Sequence, residues 1–248
     1  MMRLTVLNPF YPGEDFPPVT SALNNPEGLL AMGGCLSAVR LENAYRHGIF
    51  PWFNEGEPIL WWSPDPRLIL YPERLKVVRS LRKTLRKGVF EFSFDQAFSR
   101  VIRACAAPSS PNRGDTWISE RMIAAYETLH RRGLAHSFET WQSGSLVGGL
   151  YGVALGRIFF GESMFHTVTD ASKASMVHAC HLLVRWGYQV IDCQLHTDHL
   201  VSLGAEEIPR TAFITLLEQA VNLAPPAEAW QWDAQAPTCS SIKYPWPD

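Results

Sequence analysis

Val190-Ile191-Asp192-Cys193-Gln194 has the apolar framework of a short buried strand, yet it carries a carboxylate and a carboxamide two residues apart. Successive side chains on a strand point to opposite faces. Asp192 and Gln194 are therefore expected on one face and Ile191 and Cys193 on the other. A buried carboxylate without partners is costly. Two readings fit the pair: a structural hydrogen-bond network, or chemistry in which the carboxylate polarises the amide or relays a proton.

The sequence on either side sets this strand in a mixed sheet. Asp170 can cap a helix running to Trp186, with Met176, Val177, Cys180, Leu183 and Val184 as its apolar stripe and Gly187 as its stop. Before it come three strands, Ser137–Gln142, Leu146–Val153 and Arg157–Met164, turned by Ser143-Gly144 and Leu155-Gly156. Ser119 caps a helix to about Arg132 whose stripe is Met122, Ile123, Tyr126 and Leu129. Further helices fit Val78–Lys87, Asp95–Ala106 and Arg210–Val221, and Leu68-Ile69-Leu70-Tyr71 reads as a strand. A meander, a helix and a further strand predict an α+β fold with a mixed sheet. The same order occurs in acetyltransferase-like (GNAT superfamily) sheets.

Residues 1–66 read differently. Proline and aromatics recur in Phe10-Tyr11-Pro12, Phe16-Pro17-Pro18, Phe50-Pro51-Trp52-Phe53 and Trp61-Trp62-Ser63-Pro64. Proline fixes φ and removes a donor, so long regular elements are not expected. One helix fits Ala38–His47, with Ser37 as N-cap and Gly48 after its end. The expected organisation is a small loop-rich unit (1–66), a larger sheet domain (67–224) and an irregular tail (225–248).

The 248 residues carry a formal net charge of −2, so overall charge does not call for nucleic acid and any such interaction must be local. Five scattered cysteines, an odd number without a C-x-x-C, suggest reduced thiols in a cytoplasmic protein. No apolar run approaches membrane length, so no membrane association is expected.

Local charge is concentrated in Arg79, Arg82, Lys83, Arg86 and Lys87, with Glu91 the one nearby acid. Such a run is either a solvated face or a seat for phosphates. Cys193-x-x-His196-x-x-His199 lacks a fourth ligand for structural zinc, and no metal is expected. No G-x-x-x-x-G-K-[ST] loop occurs, and no pyrophosphate loop of the coenzyme A-dependent acetyltransferases. Ser63, Ser163 and Cys105 lack the surroundings of an activated nucleophile. Glycines in Gly148-Gly149-Leu150-Tyr151-Gly152 mark a bulge or a close approach of a ligand.

A series of short motifs then falls in one order: Gly28-Leu29-Leu30-Ala31-Met32-Gly33-Gly34, Gly48-Ile49-Phe50-Pro51-Trp52-Phe53, Trp61-Trp62-Ser63-Pro64-Asp65-Pro66-Arg67, Thr116-Trp117-Ile118, Ala135-His136-Ser137, Leu146-Val147-Gly148-Gly149, Gly161-Glu162-Ser163-Met164-Phe165, Ala171-Ser172-Lys173 and Ile191-Asp192-Cys193-Gln194. Over roughly residues 3–220 the chain resembles the leucyl/phenylalanyl-tRNA–protein transferases. The resemblance departs at Cys35, where the family usually has Asp, and at Leu150, often Met.

The resemblance implies a bacterial cytoplasmic enzyme that moves Leu or Phe, and by tolerance Met, from aminoacyl-tRNA to proteins beginning with Arg or Lys, producing N-degrons. It implies no metal and no coenzyme A; no cofactor is expected, and a monomer is expected, although the sequence does not reveal oligomeric state. Asp192 and Gln194 would assist the attacking amine, of which roughly a tenth is neutral at pH 7, unless the tRNA ribose carries the proton and the pair only positions. Glu162 would face the cationic acceptor. Leu150, Phe159, Met164 and Ile191 would form the apolar donor pocket. Trp52, Trp117 and Tyr126 would stack on the terminal adenosine or belong to the core, the latter favoured for Tyr126 by its place on a helix stripe. Arg79, Arg82, Lys83, Arg86 and Lys87 would hold tRNA phosphates. A coenzyme A-dependent acyltransferase and a non-catalytic RNA-binding module are the rival readings.

Overall fold

The computed structural model describes residues 4–107 and 117–231. Thr116 and residues 232–248, most of the expected irregular tail, lie outside them. The amino-terminal part holds β1 (Thr5–Leu7), β2 (Leu29–Gly33), α1 (Ala38–Arg46), β3 (Phe50–Pro51) and β4 (Leu60–Trp62). Its strands are short, as the proline content dictates, and form a four-stranded sheet in the order β1-β2-β4-β3. The Ser37 hydroxyl caps α1 by accepting from the Arg40 N–H.

After Arg67 come β5 (Arg67–Leu70), α2 (Arg79–Arg86), β6 (Glu91–Phe94), α3 (Phe98–Ala106), α4 (Glu120–Arg131), β7 (Ala135–Gln142), β8 (Ser145–Leu155), β9 (Ile158–His166), α5 (Ala171–Arg185), β10 (Val190–Gln194), α6 (Asp198–Ser202), β11 (Glu206–Ile208) and α7 (Arg210–Ala220). The fold is α+β with a mixed seven-stranded sheet, β11-β5-β10-β9-β8-β7-β6. The β7-β8-β9 meander is antiparallel, and α5 carries the chain over to β10, which pairs parallel with β9. Parallel pairing demands such a crossover.

Several expectations need correction. Helix α3 begins at Phe98 rather than Asp95, because the preceding residues form an edge strand and Asp95 turns with φ 56°. Asp170 precedes α5 but does not cap it through its side chain. Its φ is 68°, and its carboxylate accepts from Thr84 Oγ1 at 3.2 Å and pairs with Lys173 at 3.7 Å. Val184, placed on the α5 stripe, is 45% exposed.

One core face packs α1, α3, α4 and α7 against the sheet and joins residues of both sheets, including Tyr45, Phe50, Trp61, Tyr126, Phe160 and Phe213. The other face packs α5 on Leu150, Phe159 and Ile191. The glycines of β8 answer to packing. A Cβ on Gly152, beside a register shift, would lie 2.7 Å from the Phe159 ring, and one on Gly148 would lie 2.8 Å from Ala171. The close approach there is by the protein's own chain.

Candidate functional site

Strand β10 is bulged against β5 between Asp192 and Gln194, and Gln194 takes the left-handed φ of 64°. Ile191 and Cys193 pack toward α5, while Asp192 and Gln194 turn to the other face, as alternation requires. Asp192 is not short of partners. Its carboxylate accepts from Arg67 Nε at 2.8 Å and Nη2 at 2.7 Å, and both residues are 0% exposed. The guanidinium lies between the rings of Phe50 (4.9 Å) and Phe213 (4.6 Å). Its Nη1 has no hydrogen-bond partner among the described residues. Asp192 Oδ1 also accepts from the Gln194 backbone N–H at 2.9 Å. The carboxylate thus reaches Gln194 through the backbone, and it fixes the bulge rather than the amide.

The Gln194 amide nitrogen instead donates to Glu162 Oε1 at 2.7 Å. Glu162 stands on β9 and accepts two further bonds, from Tyr45 at 2.8 Å and Tyr126 at 2.9 Å. The two tyrosine hydroxyls also bond each other. Burial pushes the Glu162 carboxyl up to about 7; its three donors pull the other way, and the Asp192 charge adds to the rise. Its partners are tyrosines and an amide rather than a cation. Tyr45 carries no sequence signal beyond its place in the helix over 38–47. Of the two readings given for Tyr126, stacking or core, the structure places it in the core, where it is fully buried and donates to Glu162.

Glu162 and Gln194 line a cavity of about 530 Å³ together with Leu150, Phe159, Met164 and Ile191. That volume is within the roughly 300–1,000 Å³ usual for ligand pockets. Trp52 and Trp117 stand at the same cavity, with Phe50, Tyr151, Met176, Cys193 and His199 as lining residues that the sequence did not assign to a pocket. Trp52 is 41% exposed and rests on Trp62, whose ring nitrogen donates to the Trp52 carbonyl at 2.7 Å. Asp192 is outside the lining. Arg67 lay inside a quoted motif; the signal that finds it is the need of a buried Asp for a cation.

The basic residues sit apart from the cavity on α2, which packs through Leu81 against α5. Arg79, Lys83, Arg86 and Lys87 are exposed, while half-buried Arg82 turns back to the Val77 carbonyl at 2.9 Å. His196 is taken by Glu207 at 2.8 Å and Asp198 at 3.5 Å. Among the described residues no group of three or more His, Cys, Asp or Glu is arranged to hold a metal, and no helix is long and apolar enough to cross a membrane.

The site is an apolar cavity on the mixed sheet of an α+β fold, with a hydrogen-bonded Glu–Gln pair among its lining residues. The chain belongs to the family described as leucyl/phenylalanyl-tRNA protein transferase: the family profile matches residues 69–218, and a second, described as the amino-terminal domain of the same family, matches 34–65. Proteins named leucyl/phenylalanyl-tRNA–protein transferase from Methylococcus capsulatus, Nitrosospira multiformis and Nitrosomonas europaea are similar to it. The identities are 58%, 59% and 55%, over 92%, 88% and 94% of this chain and 97%, 94% and 98% of theirs. A GCN5-related N-acetyltransferase from Kribbella flavida overlaps with a TM-score of 0.33 at 11% identity, over 67% of this chain and 58% of its own. An overlap that slight says nothing about chemistry.

Proposed function

We propose that the protein transfers Leu or Phe, and also Met, from aminoacyl-tRNA to the α-amine of proteins beginning with Arg or Lys, marking them for degradation in a bacterial cytoplasm. The observation that carries this is the Glu162–Gln194 pair set in the wall of an apolar cavity on a chain of this family. Leu150, Phe159, Met164 and Ile191 take the donor side chain. An apolar pocket separates Leu and Phe from polar residues but discriminates single methylenes weakly, so Met is accepted. Trp52 and Trp117 frame the terminal adenosine. The acceptor's cation lies by Glu162.

The amine nitrogen attacks the ester carbonyl, the amide bond forms, and the ester C–O bond breaks with the ribose oxygen leaving. The ester is already activated, so the step draws on no nucleotide or metal. With its nitrogen committed to Glu162, Gln194 has its carbonyl oxygen left to accept a hydrogen bond from the amine. Asp192, held by Arg67, is a positioning residue that acts through the Gln194 backbone. This favours the ribose as carrier of the proton over a carboxylate relay. The chain acts as a monomer on this reading, divided into an amino-terminal unit (1–66), a transfer unit (67–224) and a tail (225–248).

Transfer of radiolabelled Leu from Leu-tRNA to a peptide beginning with Arg tests the proposal, with an Ala-leading peptide as control. Equal labelling of both peptides, or of neither, refutes it. Acetylation of the same peptide by acetyl-coenzyme A would establish the rival acyltransferase.

A further inference from the structure

The chain past α7 returns to the sheet. Arg157 Nε donates to the Ala224 carbonyl at 3.4 Å, the Ala229 N–H donates to Pro226, and Trp230 then enters the α5 side of the core. Its ring is boxed by His136 (centroids 3.7 Å apart, stacked), Trp186 (4.7 Å), Phe138 (5.5 Å), Tyr188 (6.0 Å), Phe94 (6.2 Å) and Phe159 (6.2 Å). Its Nε1 donates to the Tyr188 hydroxyl at 2.8 Å. Trp230 has φ 62°, a region bulky residues occupy only where the surroundings hold them. A lone indole from a tail is thus fixed by six rings and a hydrogen bond.

Phe159 is the link to chemistry. It lines the proposed donor cavity, is 1% exposed, and shares one packed core with Leu150, Met176, Ile191 and Trp230. Phe138 touches it edge-on at 5.7 Å and Trp230 lies nearly parallel to it at 6.2 Å. Displacing Phe159 toward Phe138 or Trp230 would need room that those two rings fill.

We infer that Trp230 sets the depth of the donor pocket, acting through Phe159 as a specificity-determining positioning residue. This rests on the assignment of the cavity to the donor side chain. Packed interiors relax only partly around a deleted ring. With Trp230 removed, Phe159 gains room to yield, and the pocket deepens in favour of the bulkier donor.

The test compares kcat/KM for Leu-tRNA and Phe-tRNA in the full chain and its Trp230→Ala, Trp230→Leu and Trp230→Phe variants, with Tm recorded for each. Trp230→Ala and Trp230→Leu should raise the Phe-over-Leu ratio by roughly tenfold, the scale of a changed pocket wall. Trp230→Phe, which keeps a ring but loses the Tyr188 bond, should stay near the parent ratio. Equal loss for both donors in folded Trp230→Leu makes Trp230 a structural staple only and overturns the inference. Met164→Ala separates the two failures. If it shifts the ratio and the Trp230 variants do not, the inference alone falls; if it leaves the ratio unchanged, the assignment of the cavity falls.

Discussion

Glu162 is where burial and hydrogen bonding oppose each other. Burial prevails and brings the carboxyl to about 7, so its charge changes near neutral pH. The carboxylate forms as pH rises. KM for an Arg-leading peptide should therefore fall across pH 6–8 as the negative charge develops, and Glu162→Gln should flatten that fall while leaving tRNA affinity unchanged. Steady-state kinetics against peptide at fixed aminoacyl-tRNA checks this. Beside it, Asp192 and Arg67 are balanced differently: both are fully buried and each neutralises the other. Removing one partner of such a pair costs about 3–5 kcal/mol, whereas replacing both with apolar residues of similar volume costs much less. Asp192→Asn should thus lower both stability and turnover. Urea unfolding should show the Arg67→Met/Asp192→Leu double variant more stable than Arg67→Met alone. The same double variant should remain slow in transfer, because the bond that fixes the Gln194 backbone is gone.

Helix α2 carries its cations on a surface away from the cavity, which suits engagement of a long substrate rather than of the reacting group. Replacing Arg79, Lys83 and Arg86 by Ala should weaken tRNA binding at every sequence. The slope of log K against log salt should shrink by about 1 for each phosphate that is no longer neutralised. A filter-binding titration across salt concentrations reads this, and an unchanged slope would leave the helix a solvated face. Elements with a strong period were legible from sequence: α4 shows its stripe of Met122, Ile123, Tyr126 and Leu129 all buried, with Ser119 capping as expected. Strand β6 was not, because Glu91–Phe94 is short and its partner Phe138–Trp141 is distant in sequence. The faces of β10 could be read from alternation, but not its bulge, since a bulge depends on the neighbouring strand. Among the residues quoted in local motifs, Glu162, Met164, Ile191 and Gln194 come together at one cavity. Arg67, Tyr45 and Trp230 were not assigned roles, since each acts across the fold on a residue that sequence places far away.

At the scale of the whole molecule, Glu139 joins Glu162. It is buried between Ser93 and Ser137, and burial pushes its carboxyl up to about 7 as well. A carboxyl whose folded value lies above the ordinary 4.5 binds its proton more tightly in the native state. Stability should therefore fall as pH rises from about 4.5 to 7 on account of these two groups, and level off above. Glu139→Gln should flatten part of that decline in urea midpoints measured at pH 5, 6, 7 and 8. A decline of the same depth in the variant would exonerate Glu139.

Tyr45 on α1 reaches across from the amino-terminal part to Glu162, and Phe50 on β3 covers the guanidinium that holds Asp192. A polypeptide that starts at Arg67 would leave Glu162 without one of its donors and Arg67 without one of its two flanking rings. Cutting the chain there would remove two components of the site itself. Mixing separately expressed halves would restore transfer only to the extent that they reassemble, and grafting a foreign amino-terminal segment would fail without a hydroxyl and an aromatic ring at those two places.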